Sequence, residues 1–449
     1  MTDDGGFWSV AREFFALERD VLVLSVAMLV FSLGFQMTSR YIPEYMRVLG
    51  AGAGAIGLFG SLSNLISAGY PYPGGALSDR VGSRVALTGF GLASTVGFLV
   101  WAFAGAFGTV ALGPLVLPTV SIGTYTLGGS VMGTLVLPIG IFLGLFLTQS
   151  WKSLGLGATF AIVKQATDPD SLATGFASTE TFRRVGFLLG PLLATVVLAS
   201  TATFALGFRM ILLLAAGFGA AGTAAQHVLY DARGDTVGKR FEGLSTILSD
   251  LRSMPGPLRP LLAADTLIRF ANGMVYVFFV IVVTRYHEVG FHLGPLDLRP
   301  PAFFGVLLGV EMVVALLTMI PVARIADRIG LKPVVALGFA VYAVFPALLI
   351  SAPADQWIIL ALFAFSGLRF AGLPAHKGLI VGPAASGEGG RVTGTYYLVR
   401  NTVVIPSAAI GGALYGYEPT VAFFTASVVG LLGTGYFLRY GRDLSEGDG

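Results

Sequence analysis

Ten ionisable side chains fall inside stretches of this 449-residue sequence that are otherwise apolar. Lys152, Arg183, Arg184, Arg209, Arg269, Arg369 and Arg400 are basic, and Glu180, Asp265 and Glu311 are acidic. A charge held at the middle of a bilayer costs roughly 2.5–3.5 kcal/mol on insertion scales, so such residues persist where they pair, face a wet cavity or do work. Lys and Arg carry only donors, which a carboxylate or similar anion satisfies, and Arg can grip it through two parallel hydrogen bonds. Lys152 and Arg369 lie about midway along their apolar segments and are candidate ligands for an acidic group on a small organic solute. Structural pairing with acids is the alternative for each.

Glu180 precedes Arg183 and Arg184 by three and four positions, which places all three on one side of a helix. An internal ion-pair network is expected there, with a coupling role as the alternative. Glu311 has no basic residue within a turn. A carboxyl in that setting suits proton binding and release, so Glu311 is the candidate coupling carboxylate, or a partner across a gate for Arg183 or Arg184. Asp265 and Arg269 stand one turn apart and read as a structural pair near the cytoplasmic side. His376, beside Lys377, is expected at the interface. Gln36, Gln149, Asn272, Tyr276, Tyr396 and Asn401 could add neutral polar contacts or simply pack.

The elements that must position these groups follow from composition. Hydrophobic residues make up 55% of the chain and charged residues 12%, against roughly 25% charged in a soluble protein. No charged side chain occurs between Arg84 and Lys152. A bilayer is the solvent that fits. There is no cysteine, which excludes disulfides, thiolate metal sites and cysteine nucleophiles. No nucleotide-binding Gly-Lys loop, metal cluster or nucleophile triad is present, so no enzyme, no cofactor, no metal and no ATP-driven pump is expected. No basic run suggests nucleic acid.

Apolar windows predict twelve membrane spans: 20–42, 53–77, 85–107, 138–164, 172–198 and 204–230, then 260–286, 303–324, 333–352, 356–378, 392–415 and 419–440. These are spans 1 to 12 below. With both termini in the cytoplasm, 17 Lys and Arg residues lie inside and 4 outside, the asymmetry that sets orientation. The expected division is a cytoplasmic segment 1–19, a six-helix bundle 20–230, a cytoplasmic linker 231–259, a second bundle 260–440 and a tail 441–449. Residues Phe7 to Arg19 read as a short interfacial helix or a disordered tail. The linker is expected to hold an amphipathic helix around Phe241–Leu251.

The two halves echo each other. Ser39-Arg40-Tyr41 matches Thr284-Arg285-Tyr286 at an offset of 245, and Ser78-Asp79-Arg80-Val81-Gly82 matches Ala326-Asp327-Arg328-Ile329-Gly330 at 248. Lys152 to Leu156 matches Arg369 to Leu373 at 217, and Arg183 with Arg400 keeps that offset. The fall from 248 to 217 gives the first half 31 extra residues between spans 3 and 4. They fit the neutral stretch 108–137, an extracellular insertion. Val120–Leu127 and Ser130–Val136 about a Gly128-Gly129 turn could form a β-hairpin, and an apolar loop over the outer mouth is the alternative.

The segment Gly75-Ala76-Leu77-Ser78-Asp79-Arg80-Val81-Gly82-Ser83-Arg84 resembles the loop between helices 2 and 3 of the major facilitator superfamily. A second copy runs from Ile325 to Lys332. Gly186 to Pro191 resembles the core of that superfamily's antiporter motif without its trailing glycines, and glycine-mediated helix packing explains the same run more simply. The resemblance covers essentially the whole chain. It implies an all-α membrane protein of twelve helices in two pseudo-twofold-related six-helix bundles. It implies that Asp79, Arg80 and Arg84, and by repetition Asp327 and Arg328, latch the cytoplasmic face. It also implies that helices 1, 4, 7 and 10 line the path, so that Lys152 and Arg369 face one another across the pseudo-twofold axis. Arg400, the counterpart of Arg183, joins the gating candidates.

The expectation is secondary active transport of a small solute with an anionic group, coupled to protons or another ion, by a monomer in the cell membrane. A proton-coupled multidrug or amphipath exporter is the first alternative, which Lys152 and Arg369 paired to acids would favour. A facilitator-fold sensor or scaffold without transport is the second, and it predicts a blocked cavity or none.

Overall fold

Proline restarts two of the apolar helices, at Pro71 and beyond Pro406, whereas three others run on through Pro191, Pro321 and Pro346. The computed structural model describes residues 19–113, 115–122, 125–132, 134–155, 158, 159, 162, 172–230, 256, 258–382 and 389–443. Among them, nine helices are long and apolar enough to cross a membrane, matching spans 1, 3, 5 to 10 and 12. The other three expected spans are helical but divided into shorter pieces. Span 2 runs Ala53–Gly69 and restarts as Pro71–Val81, where Pro71 has no N–H to continue the ladder. Span 11 runs Gly389–Val404 and restarts as Ser407–Tyr417 beyond Pro406. Span 4 begins as Ile139–Gln149 and widens into a π turn over Ser150–Leu154. The twelve-helix, all-α arrangement of the spans therefore stands.

Each half carries the same turn after its Asp-Arg pair. Gly82 has φ +87° and ψ 150°, and Gly330 has φ +91° and ψ 165°. That region is open essentially to glycine alone, so the repeated glycine is a backbone requirement. Gly82 ends one helix and opens Ser83–Ala102, and Gly330 does the same for Leu331–Ser351. The backbone N–H of Lys332 donates to Asp443 at 3.1 Å, placing a carboxylate at the start of span 9, where the helix dipole favours it.

The insertion between spans 3 and 4 is β structure. Strand β1 (Thr109–Leu112) pairs antiparallel with β4 (Leu135–Pro138), and β2 (Leu115–Ile122) pairs with β3 (Tyr125–Met132). Ile122 faces Tyr125, so the connection is the two residues 123–124 and not Gly128-Gly129, which lies inside β3. Leu117 faces Gly129 while Val120 faces Leu127. Pro118 and Thr119 thus oppose Gly128 alone, a bulge that accommodates a proline unable to donate to the ladder. The expected interfacial helix at the N-terminus, the amphipathic linker helix and the end of the tail lie outside the described residues.

The chain forms two compact units: Met1–Arg40, Gly69–Phe107 and Gly140–Phe241 in one, and Tyr41–Ala68, Gly108–Ile139 and Glu242–Gly449 in the other. In the first, Phe31 stacks on Trp151 with ring centroids 4.1 Å apart. Gly186 and Gly190 of span 5 lie against Ser32 and Gln36 of span 1, the helix-packing role expected of small residues. In the second, residues 41–68 group with the C-terminal spans because Gly57 sits against Ala408 and Gly412. Leu261, Ile268, Phe339, Tyr396 and Phe437 belong to the apolar core of this unit.

Candidate functional site

Asp265 and Arg269 come from one face of the helix Leu258–Val275, and Arg269 Nε donates to Asp265 Oδ1 at 3.3 Å. The local pair expected from their spacing is present. It is also the start of a larger network. Arg400 Nη1 donates to Asp265 Oδ2 at 3.0 Å and Tyr396 Oη donates to the same oxygen at 3.2 Å. His376 Nε2 lies 3.4 Å from it. Asp265 is fully buried, and a buried carboxylate is tolerated only with such partners. Arg269 Nη1 reaches across to span 9 and donates to Tyr342 Oη at 3.1 Å.

Arg369 continues the network. It sits on the one-turn 3₁₀ segment Leu368–Phe370 that interrupts span 10. Gly367 lets this segment approach span 8, since a Cβ there would meet the Glu311 carbonyl at 2.5 Å. The result is an ion pair between Arg369 Nη2 and Glu311 Oε1 at 2.6 Å, with Ser366 Oγ donating to the same carboxylate oxygen. Glu311 and Arg369 are 2% and 3% exposed. Glu311 is therefore not the isolated carboxyl that its own helix implies, because its cation arrives from another span. Arg369 also stacks over the rings of Tyr342 at 5.2 Å and Phe370 at 4.8 Å, a favourable cation–π setting. His376 is 5% exposed and is thus a core residue rather than an interfacial one.

Three guanidiniums, Arg269, Arg369 and Arg400, are held here by two carboxylates, Asp265 and Glu311. Among the described residues the cluster holds one more cation than anion, even with His376 neutral. Asn401 Oδ1 accepts from Arg400 Nε and Nη2.

The N-terminal unit places Lys152 on the π turn of span 4, the repeat position of the 3₁₀ break at Arg369. Breaks of this kind inside a span are frequent at functional sites. Lys152 is exposed and its Nζ lies 5.9 Å from the ring centre of Phe35. Gln149 is buried and Gln36 half-buried. Arg183 and Arg184 are half-buried on span 5, and Arg183 stacks over Phe187 at 5.4 Å. The side chain of Glu180 lies outside the described residues, so the network expected around it is not described. Lys152 belongs to the first unit and Arg369 to the second. Tyr276 is half-buried on a 3₁₀ turn of span 7.

At the loops of the repeated motif, Asp79 and Arg84 are half-buried and Arg80 and Arg328 exposed. The side chain of Asp327 is outside the described residues. One strong site escaped sequence reasoning. Glu44, 1% exposed, accepts from Arg285 Nε and pairs with Arg285 Nη2, both at 2.8 Å, and Thr284 Oγ1 donates to it at 3.2 Å. The repeat of Thr284-Arg285-Tyr286 was its one signal.

No protein-family model matches the chain. An uncharacterised MFS-type transporter of Methanocaldococcus jannaschii is 22% identical over 423 residues, covering 93% of each chain. Among solved structures, the nucleoside transporter NupG superposes with a TM-score of 0.66 at 12% identity, covering 94% of this chain and 98% of that one. A POT family transporter in complex with a thioalcohol-conjugated peptide gives 0.69 at 13% identity, covering 95% and 98%. A POT family transporter in complex with 5-aminolevulinic acid gives 0.69 at 14%, covering 94% and 96%.

Proposed function

We propose that this chain, which has the major facilitator fold, is a secondary active transporter that carries a small organic solute bearing an anionic group by proton-coupled alternating access. The fold and the descriptions of its relatives, which are transporters and not enzymes, support the class. The observation that carries the substrate class is the surplus, among the described residues, of three guanidiniums, buried Arg369 and half-buried Arg269 and Arg400, over Asp265 and Glu311. Such a surplus is costly unless an anion visits it.

In this reading the protein is a monomeric multi-pass protein of the cell membrane with cytoplasmic termini. Arg369 and Lys152 contact the solute, with Gln36, Gln149 and Tyr276 as polar neighbours. Glu311 is a coupling carboxylate: while ionised it occupies Arg369, and protonation frees that cation for the solute. Glu180 is the alternative. Arg183, Arg184 and Arg400 belong to the gating charges. Asp79, Arg80, Arg84, Asp327 and Arg328 form the cytoplasmic latch, and Glu44 with Arg285 closes the opposite end.

Thermal stabilisation of the purified protein tests the substrate class. A short organic acid is expected to raise the melting temperature of the wild type and to do so at least tenfold more weakly in Lys152→Gln and Arg369→Gln. Equal responses in all three proteins would end the anion reading. The pairing of Arg369 with Glu311 amid Tyr342 and Phe370 favours a second reading, export of amphipaths. Stabilisation by hydrophobic drugs alone would support it.

A further inference from the structure

Val334, Gly338 and Tyr342 stand four residues apart, which puts them on one face of span 9. That face meets the break in span 10 at close range. A Cβ at Gly372 would lie 2.9 Å from the Val334 carbonyl oxygen, and one at Gly338 would lie 3.3 Å from the Arg369 carbonyl oxygen. The approach sets the Tyr342 ring beside two cations. The guanidinium carbon of Arg269, from span 7, lies 5.2 Å from the ring centre, and that of Arg369, from span 10, lies at the same distance. Arg269 Nη1 also donates to Tyr342 Oη at 3.1 Å. Tyr342 is 7% exposed and packs edge-on to Phe370 at 6.3 Å, so its ring has little room to turn.

Two ion-pair groups meet at this ring. Asp265 holds Arg269, and Glu311 holds Arg369. Among the described residues no hydrogen bond joins one group to the other except by way of Tyr342. Arg369 reaches Glu311 through Nη2, and a guanidinium fixed by one nitrogen can still tilt about that bond. The aromatic faces beside it set its plane.

We propose that Tyr342 is a positioning residue: its ring, steadied through Oη by Arg269, holds the Arg369 guanidinium on Glu311 and ties that pair to the Asp265 network. Each group then feels the state of the other. Neutralising Glu311 loosens Arg369 against the ring, and removing Arg269 frees the ring that backs Arg369. Coupling of this kind is reciprocal. The linkage stands on these contacts alone, whereas its consequence for solute binding rests on the transport reading above.

The test is a double-mutant cycle on the full-length protein in detergent, read as melting temperature. Arg269→Gln and Glu311→Gln are made singly and together, in the wild type and in Tyr342→Phe. In the wild-type background the double variant should lose clearly less than the sum of the single losses, as coupled residues do. Phenylalanine keeps the ring and removes the acceptor, so there the losses should add to within about one degree. Water can take up the Arg269 nitrogen left behind, since that side chain is 27% exposed, and Tyr342→Phe is expected to fold. Should either glutamine variant fail to purify, Arg269→Lys and Glu311→Asp complete the same cycle. Additive losses in both backgrounds overturn the proposal, and so does equal non-additivity in both.

Uptake of a transported acid gives a second readout. In Tyr342→Phe the KM should rise about threefold to tenfold, the worth of one hydrogen bond, with the maximal rate unchanged. A tyrosine that only supported folding would lower the maximal rate and leave KM alone, and that result overturns the positioning role. If no acid is carried while the cycle behaves as expected, the transport reading fails and the linkage stands. If acid uptake needs Arg369 but the cycle is additive throughout, the transport reading stands and this one fails.

Discussion

Replacing Glu311 by glutamine should destabilise the protein by about 3–5 kcal/mol, the cost of leaving one member of a buried ion pair uncompensated. Glutamine has nearly the same shape and its amide oxygen can still accept from Arg369 or Ser366. What disappears is the charge opposite a guanidinium that is 3% exposed. Several degrees should be lost from the melting temperature in detergent. The double variant Glu311→Gln with Arg369→Met should recover most of that loss, because two neutral side chains in an apolar, aromatic wall cost little. Transport should not return in the double variant, since Arg369 is also the proposed ligand of the solute. A single variant as stable as the wild type would mean that Glu311 already carries a proton, and the ionic account of this pair would be wrong.

A valine at Gly57 should abolish transport in a protein that still folds. A Cβ at Gly57 would lie 2.5 Å from the Ala408 carbonyl oxygen and 2.9 Å from Gly412 Cα. Both are backbone atoms and cannot step aside as a flexible side chain would. The contact is reciprocal, since a Cβ at Gly412 would lie 2.7 Å from the Ala53 carbonyl oxygen. The larger residue must push this part of span 2 away from span 11, at a packing cost of about 1–3 kcal/mol. Glu44 and Arg285 then lose their register. The absence of native cysteine makes the reporter clean: Thr284→Cys, in a position 7% exposed, should react with a polar maleimide at least tenfold faster when Gly57→Val is added. Unchanged labelling with unchanged transport would show that this glycine contact has no part in closing the protein.

How much of this was legible in the sequence depended on the range of the interaction. Spans follow from composition, which is a property of each segment alone. Gly82 and Gly330 were legible because a backbone requirement falls on a single residue. The offset linking Lys152 to Arg369 was informative beyond expectation, for both lie where their spans leave α geometry. Asp265 and Arg269 were legible as neighbours at helical spacing, but their other partners come from spans 9, 10 and 11. Nothing local in the chain says that Glu311 meets Arg369. Charge spacing within one helix therefore gave the wrong environment for Glu311, and the neighbour Lys377 gave the wrong one for His376. The hairpin turn was misplaced for a related reason: Gly128-Gly129 reads as a turn by type, while the bulge at Pro118 that fixes the register is a pairing property.

The most direct measurement is uptake of a panel of labelled short carboxylic acids into proteoliposomes carrying the full-length protein, with an imposed proton gradient. Accumulation of at least one acid above its equilibrium level is expected, abolished by a protonophore and by Arg369→Gln. If no acid moves under any gradient while uncharged amphipaths do, the proposal of proton-coupled transport of an anionic solute is contradicted.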